Sequence, residues 1–200
     1  MGHFTTRIAK VRHVPDHVRV AAPPGAMMSV MSAAPPTTTG TVVRPATRDD
    51  VPLILTMIRE LAEFERSLDE VQATEALLTE NLFAEQPAVF CHIAELDGEA
   101  VGFALWFINF STWVGKHGIY LDDLYVRPTA RGAGVGTVLL QTLARICVDR
   151  GYDRLDWWVL DWNEKAIGFY RSIGAIAMDE WTVQRLTGEP LRRMAGIANP

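Results

Sequence analysis

The hydrophobic positions of residues 51–62 recur at the three- and four-residue spacing of a helix that buries one face. They are Val51, Ile54, Leu55, Ile58, Leu61 and Ala62. Asp49 or Asp50 precedes this pattern and supplies an N-cap, and Pro52 is tolerated in the first helical turn. A second, acidic helix is predicted over residues 74–83.

Short runs rich in β-branched and aromatic residues predict the strands. These runs lie at 42–43, 89–96, 100–107, 119–126 and 154–160, and two further strand-like segments lie at 175–178 and 181–186. Asp97-Gly98 joins the second and third strands and favours a tight hairpin turn. Pro128 ends the fourth strand because it cannot donate to the ladder.

A strongly amphipathic helix is predicted over residues 135–150, and Gly151 closes it. Its apolar face carries Val135, Val138, Leu139, Leu143, Ile146 and Cys147. Asn163 caps a shorter helix that includes Tyr170, and Gly174 ends it. The order β-α-α-β-β-β-α-β-α-β, followed by a last β-like segment, predicts an α/β (α+β) protein. Its sheet is mixed and carries helices on both faces.

Residues 1–40 differ in composition from the rest of the chain. Pro23-Pro24, Pro35-Pro36 and the run 37–40 cannot build a core, so this region is predicted to be a low-complexity, disordered tail. The sequence leaves open alternative starts at Met27, Met28 and Met31. Residues 41–200 are predicted to form one domain, since the chain is 48% hydrophobic and 22% charged.

The charge balance changes the range of expected partners. The formal net charge is −5, although the first 40 residues carry four basic side chains against one acidic side chain. An acidic domain without a basic stripe argues against nucleic acid and anionic membrane surfaces. Between Asp49 and Glu99 stand 13 acidic residues and only two basic ones, Arg59 and Arg66. They form either a solvated helix face or a field that attracts a cationic amine.

The two cysteines, Cys91 and Cys147, fall on apolar positions and predict small buried thiols. His92 and His117 form no ligand set with them or with carboxylates, so no metal is expected. No apolar run approaches the ~18 residues that a membrane helix needs. Since Pro23-Pro24 also breaks the only signal-like stretch, the sequence predicts a cytoplasmic protein.

A glycine-rich segment between a predicted strand and the amphipathic helix carries the clearest chemistry. It reads Arg131-Gly132-Ala133-Gly134-Val135-Gly136-Thr137. Glycines let the backbone approach a ligand closely, and the first N–H groups of a helix point at an anion. The spacing fits neither the dinucleotide pattern nor the Walker pattern. It resembles the pyrophosphate loop of GNAT acyl-CoA N-acetyltransferases, although a short Gly-rich turn is sometimes only a turn.

Further segments resemble the diamine acetyltransferase branch of the GNAT family, the spermidine/spermine and thialysine type. They are Arg44-Pro45-Ala46-Thr47, Leu61-Ala62-Glu63-Phe64-Glu65, Trp113-Val114-Gly115-Lys116, Tyr120-Leu121-Asp122-Asp123-Leu124-Tyr125-Val126 and Trp162-Asn163-Glu164, with Phe169-Tyr170 and Gly174-Ala175. The resemblance covers about residues 42–195. It implies the GNAT fold, a mixed and mostly antiparallel sheet with helices on both faces, and acetyl transfer from acetyl-CoA to a primary amine.

The same resemblance implies roles for individual residues. Tyr170 matches the family tyrosine that acts as general acid toward the CoA sulfur. Asp122 matches the position of a glutamate proposed as base through water, and Asp123 is an alternative. The two are neighbours on a strand, so they are expected to point to opposite faces, and only one can face the cleft. The cofactor-binding set is Leu124, Tyr125, Val126, Arg131, Gly132, Ala133, Gly134, Val135, Gly136, Thr137 and Asn163.

The amine site departs from the pattern of the branch. Polyamine enzymes carry an aspartate two positions before the tryptophan of the Trp-x-Gly-Lys segment, and in this chain that position is Ser111. The expected substrate-binding residues are Glu65, Trp113 and Asp122. A polyamine, a diamine and a thialysine-like amine all stay open. Members of the branch commonly form dimers, so a homodimer is expected.

Two other functions compete with this interpretation. The domain could acetylate another amine, such as an antibiotic or a protein amino group. It could also be a non-catalytic acyl-CoA-binding or sensor domain. Acetyl-CoA binding without turnover of any amine would select the sensor.

Overall fold

A computed structural model of the chain describes residues 40–197, so the predicted tail lies outside the described residues apart from Gly40. The elements run in the order β1 (Thr41–Pro45), α1 (Val51–Phe64), α2 (Glu75–Leu82), β2 (Val89–Leu96), β3 (Glu99–Ser111), β4 (Lys116–Val126), α3 (Val135–Asp149), β5 (Leu155–Trp157), α4 (Glu164–Ser172) and α5 (Gly188–Met194). Short 3₁₀ turns precede α1, α2 and α3.

The five strands form one sheet in the order β1-β2-β3-β4-β5. The first four strands are antiparallel neighbours, whereas β5 runs parallel to β4. At the β2–β3 turn Asp97 and Gly98 have φ values of +53° and +83°, the left-handed conformation that an Asp-Gly hairpin requires. The predicted mixed sheet, with its hairpin, is confirmed.

Helices cover both faces of the sheet, as predicted. One core contains Trp106, Ile119 and Leu121 packed with the apolar face of α3. The other contains Phe103, Leu105 and Tyr125 packed with α1 and α2. We call the side of the sheet covered by α3 the α3 face, and the side covered by α1 and α2 the α1 face. Both predicted buried thiols, Cys91 and Cys147, are buried in these cores.

The predicted caps of α3 and α4 form, but that of α1 does not. Asp50 precedes α1 without a side-chain cap bond, because its carboxylate accepts hydrogen bonds from Arg44 and Thr47. The Thr74 side chain accepts a hydrogen bond from the Leu77 amide at the start of α2, 3.2 Å away. The Asn163 side chain accepts one from the Ala166 amide at the start of α4, 3.3 Å away. Gly151 and Gly174 follow α3 and α4 with φ values of +66° and +90°. Such residues end a helix because glycine adopts the left-handed conformation without steric cost.

The last part of the chain differs from the prediction. Residues 175–178 and 181–186 form no strand in the described structure, and β5 is limited to Leu155–Trp157. A strand needs a neighbour to pair its N–H and C=O groups, and residues 40–197 give these segments none. The two predicted strands are therefore wrong for the isolated chain, and α5 follows them instead.

Candidate active site

The sheet opens between β4 and β5. The two strands pair only from Ile119 to Leu121 on β4 and from Leu155 to Trp157 on β5. Beyond Leu121, the β4 edge that would face β5 has no strand partner among the described residues. Along Asp122–Val126, the backbone groups that point away from β3 are therefore available to a ligand that carries amide groups, except the Val126 carbonyl, which accepts a hydrogen bond from Arg131.

A β-bulge lies where the opening begins. Across β3 and β4, Trp106 pairs with Leu121 and Leu105 pairs with Asp123, so Asp122 is the extra residue. A bulge sets two residues of one strand opposite a single partner and breaks the alternation of side chains.

The bulge places both aspartates on the α1 face. Leu121 belongs to the α3 face, so its neighbour Asp122 lies on the other side. Asp123 lies opposite Leu105, which belongs to the core of the α1 face. The alternation argument, which allowed only one aspartate to face the cleft, fails because the register shifts between them.

Asp122, Asp123 and Glu65 form an acidic cluster. Burial, together with the charges of Asp122 and Glu65, raises the pKa of Asp123 to about 7. Burial also raises the pKa of Asp122, against the opposing charge of Arg185, and that of Glu65. A carboxyl with a pKa near neutrality exchanges a proton readily at physiological pH. The structure thus places the two predicted acidic residues, Glu65 and Asp122, in one cluster. Asp123 belongs to the same cluster and has the most strongly raised pKa of the three.

Tyr170 lies on the other side of the opening. Its ring packs on Trp157, the last paired residue of β5, with 4.9 Å between centroids, and on Phe169 at 5.6 Å. Within the described residues its hydroxyl makes no hydrogen bond. Burial raises the pKa of Tyr170, so the hydroxyl keeps its proton at neutral pH. Because Trp157 pairs with Leu121, Tyr170 and Asp122 flank the same opening from opposite faces.

The glycine loop leads directly into α3. Gly132 and Gly134 have φ values of +85° and +79°, and Gly134 is the residue that precedes the helix. The first intrahelical bond is donated by Val138 to the Gly134 carbonyl. The N–H groups of the first turn, Val135 to Thr137, therefore have no partner within the helix and can bind an anion.

Arg131 is turned toward α1. Its Nε donates to the Val126 carbonyl at 2.9 Å, and its guanidinium lies over the rings of Phe64 and Tyr125, 4.9 and 5.7 Å from their centroids. The side chain thus frames the loop and joins it to the free part of β4. The side chains of Leu124, Tyr125 and Val126 pack into the two cores, so only their backbone groups are available to a ligand.

Trp113 is not part of this arrangement within one chain. It lies in the turn between β3 and β4 and is 69% exposed. Six residues of β4 separate the start of that strand from Asp122, about 20 Å at strand spacing. Ser111, which replaces the expected aspartate, is nearly buried, and its hydroxyl accepts a hydrogen bond from the Val114 amide at 3.4 Å. It holds the turn instead of offering a charge.

Sequence reasoning missed the aromatic residues beside the acidic cluster. The Phe107 and Tyr120 rings stack at 4.9 Å, and Trp158 meets Tyr120 edge-on at 5.5 Å. Trp162 contacts Phe64 at 5.7 Å, next to Glu65. These aromatic residues can be seen in the sequence, but their spacing is equally typical of core residues of strands, so it did not indicate a site.

Comparison with known proteins agrees with this fold. The sequence model of the Acetyltransferase (GNAT) family matches residues 55–175. The thialysine N-epsilon-acetyltransferase of Sus scrofa is 39% identical over 166 residues, which cover 78% of this chain and 97% of that protein. The L-ornithine N5-acetyltransferase of Arabidopsis thaliana is 31% identical, covering 75% and 86%. An integron cassette protein from the mobile metagenome of V. cholerae superposes with a TM-score of 0.66 at 28% identity, covering 78% and 98%.

The chain belongs to the GNAT family and is an N-acetyltransferase. Within that family it falls in the branch of the thialysine and spermidine/spermine-like acetyltransferases. Among residues 40–197, no helix has the length and apolar character to cross a membrane. In the same part of the chain, no three His, Cys, Asp or Glu side chains are grouped to hold a metal ion.

Proposed function

We propose that the protein transfers acetyl from acetyl-CoA directly to a primary amine of a small cationic substrate. The observation that carries this proposal is the bulge at Asp122–Asp123, which puts an acidic cluster at the point where β4 leaves β5. A ligand on the free β4 edge and an amine held by the cluster would meet in that opening.

The residues fit the acetyl-CoA co-substrate in two separate places. Along Leu124, Tyr125 and Val126, the backbone groups that point away from β3 and are not bonded to Arg131 suit the amides of its pantetheine arm. The glycine loop and the first turn of α3 suit its pyrophosphate, with Gly132, Ala133, Gly134, Val135, Gly136 and Thr137 in the loop region and Arg131 framing it. Asn163 caps α4 and is a further candidate contact. When bound, acetyl-CoA supplies an acyl group on a thiolate leaving group.

The acidic cluster acts on the amine. An alkylammonium has a pKa near ~10 and must lose a proton before it can attack the thioester carbon. The Asp122–Asp123 pair attracts the ammonium and accepts this proton, directly or through water. Glu65 adds negative charge to the same side of the opening.

Tyr170 acts on the sulfur. As the new C–N bond forms, the C–S bond breaks and the departing thiolate needs a proton. The Tyr170 hydroxyl, held protonated and without a hydrogen-bond partner among the described residues, donates that proton. The base therefore approaches the amine from the α1 face, and the acid approaches the sulfur from the α3 face.

The test is release of CoA from acetyl-CoA by the full-length protein with spermidine, putrescine, thialysine, lysine and simple alkylamines. Turnover of at least one amine supports the proposal. Acetyl-CoA binding without turnover of any amine in the panel would favour the sensor alternative and count against it.

The glycine loop yields a prediction with an internal control. Gly134→Ala forces a side chain into a left-handed conformation, which costs about 1–2 kcal/mol, and shifts the N–H groups at the start of α3. We expect the Kd of CoA, measured by calorimetry, to rise about tenfold. Gly151→Ala imposes the same strain at the far end of α3 and should leave that Kd unchanged. Equal effects of both substitutions on CoA would show that the loop has no special role.

We also propose a homodimer. The segment after α4 exposes a series of large apolar side chains, which include Ile176 at 82%, Met178 at 63%, Trp181 at 66%, Val183 at 52% and Leu186 at 46%. Exposed apolar surface of this extent is typical of an interface. Light scattering should give twice the chain mass of 22.2 kDa, and a monomer at micromolar concentration would contradict the dimer. A cytoplasmic location stays a prediction from the sequence.

A further inference from the structure

An aromatic surface continues from the acidic cluster along the α1 face. Tyr120 lies opposite Phe107 in the register of β3 and β4, and their rings stack at 4.9 Å. Trp158 follows β5 and meets the Tyr120 ring edge-on, with 5.5 Å between centroids and a ring angle of 83°. It is 59% exposed, so one side of its indole is open to a ligand. We call Tyr120 and Trp158 the aromatic corner.

The corner adjoins the carboxylates. Tyr120 and Asp122 are two residues apart on the same side of β4, before the register shift at Asp123. A substrate whose amine lies at the acidic cluster would therefore place its next atoms on the rings of Tyr120 and Trp158.

The carboxylates near Tyr120 are already engaged, Asp122 in the acidic cluster and Asp156 in an ion pair. Asp156, which pairs with Tyr120 in the sheet, already accepts hydrogen bonds from Arg154 at 2.8 Å and Asn109 at 2.9 Å. Arg185 places a positive charge near Asp122 and Tyr120. A second ammonium at the corner would have to compete with Arg154 or lie beside Arg185, whereas an apolar group would meet aromatic carbon.

We propose that Tyr120 and Trp158 bind the apolar body of the amine, and that the site prefers an amine with one ammonium, at the reacting end, over a polycation. The inference rests on the proposed function, and it makes Trp158 a specificity-determining residue.

The test compares amines that differ in one feature. Pentylamine and 1,5-diaminopentane have the same carbon chain, but only the second carries another ammonium. Phenylethylamine supplies an aromatic body, and ethylamine is too short to reach Trp158. We expect kcat/KM, measured by CoA release with the full-length protein, to be higher for pentylamine and phenylethylamine than for 1,5-diaminopentane and spermidine.

The variant Trp158→Ala should lower kcat/KM for pentylamine and phenylethylamine about tenfold, because an apolar contact of this size is lost. Ethylamine should be unaffected, and Trp158→Phe should recover most of the loss. Phe110→Ala removes an aromatic ring that is 51% exposed on the opposite face of the same hairpin and should change none of these values.

Three outcomes would overturn the inference. A preference for 1,5-diaminopentane or spermidine would show that the far end of the site binds a cation. An equal loss for all amines in Trp158→Ala, ethylamine included, would show a structural role. No turnover of any amine by the unmodified protein would remove the proposed function itself, and with it this inference.

Discussion

Tyr170→Phe is expected to lower kcat for acetyl transfer about 100-fold or more, which is the usual contribution of a positioned general acid. The substitution removes only the hydroxyl, while the ring can keep its contacts with Trp157 and Phe169. The KM of acetyl-CoA should change little, since the proton is needed only as the C–S bond breaks. Steady-state CoA release with the best amine of the panel measures both quantities.

A matched control separates the missing proton from a packing defect. Tyr152→Phe makes the same change in a tyrosine that also packs against the core of the α3 face. It should leave kcat unchanged and should affect thermal stability about as much as Tyr170→Phe does. If Tyr170→Phe retains full kcat, Tyr170 is not the general acid, and another group or solvent protonates the thiolate.

Asp123→Asn is expected to lower kcat/KM for the amine about 100-fold and to abolish its dependence on pH near neutrality. The pKa of Asp123 is about 7 because the carboxyl is buried near Asp122 and Glu65. Only the deprotonated carboxylate can accept a proton from the amine. In the unmodified protein, the contribution of Asp123 to kcat/KM should therefore rise with pH and level off above about pH 7.

The same substitution should raise stability at pH 8. An unfolded aspartate has a pKa near ~3.9, so between that value and the raised folded pKa the native state binds more protons than the unfolded state. Stability due to this group therefore falls as pH rises from about 4 to about 7. Asparagine removes the buried charge, and we expect about 2 kcal/mol of added stability at pH 8 and none near pH 4.

The comparison with Asp122→Asn identifies which member of the pair titrates. Asp122 is less buried than Asp123 and feels the opposing charge of Arg185, so its replacement should weaken amine binding but leave the pH dependence of kcat/KM near pH 7 in place. If Asp122→Asn abolishes the pH dependence of kcat/KM near pH 7 and Asp123→Asn does not, Asp122 is the base, as the resemblance to the family implies.

Local sequence determined most of the elements. The helical spacing of Val51 to Ala62, the Asp97-Gly98 turn and the caps at Asn163 and Gly151 depend on a few neighbouring residues. The structure confirms each of them. The glycine loop could also be located from its residues alone, because left-handed conformations at Gly132 and Gly134 are a local requirement.

Only the tertiary structure decided how the site is assembled. The bulge at Asp122 arises from the pairing of β4 with β3, so no pattern within β4 could predict that both aspartates share a face. The raised pKa of Asp123 depends on burial and on Glu65, which is distant in the sequence. The aromatic corner likewise needs β4 and β5 to pair. The segments 175–178 and 181–186 form no strand because they have no strand partner within the described part of the chain. Local propensity determines the caps and the turns. The face of the sheet on which a side chain lies, the pKa of a carboxyl and the partner of a strand depend on contacts between residues far apart in the chain.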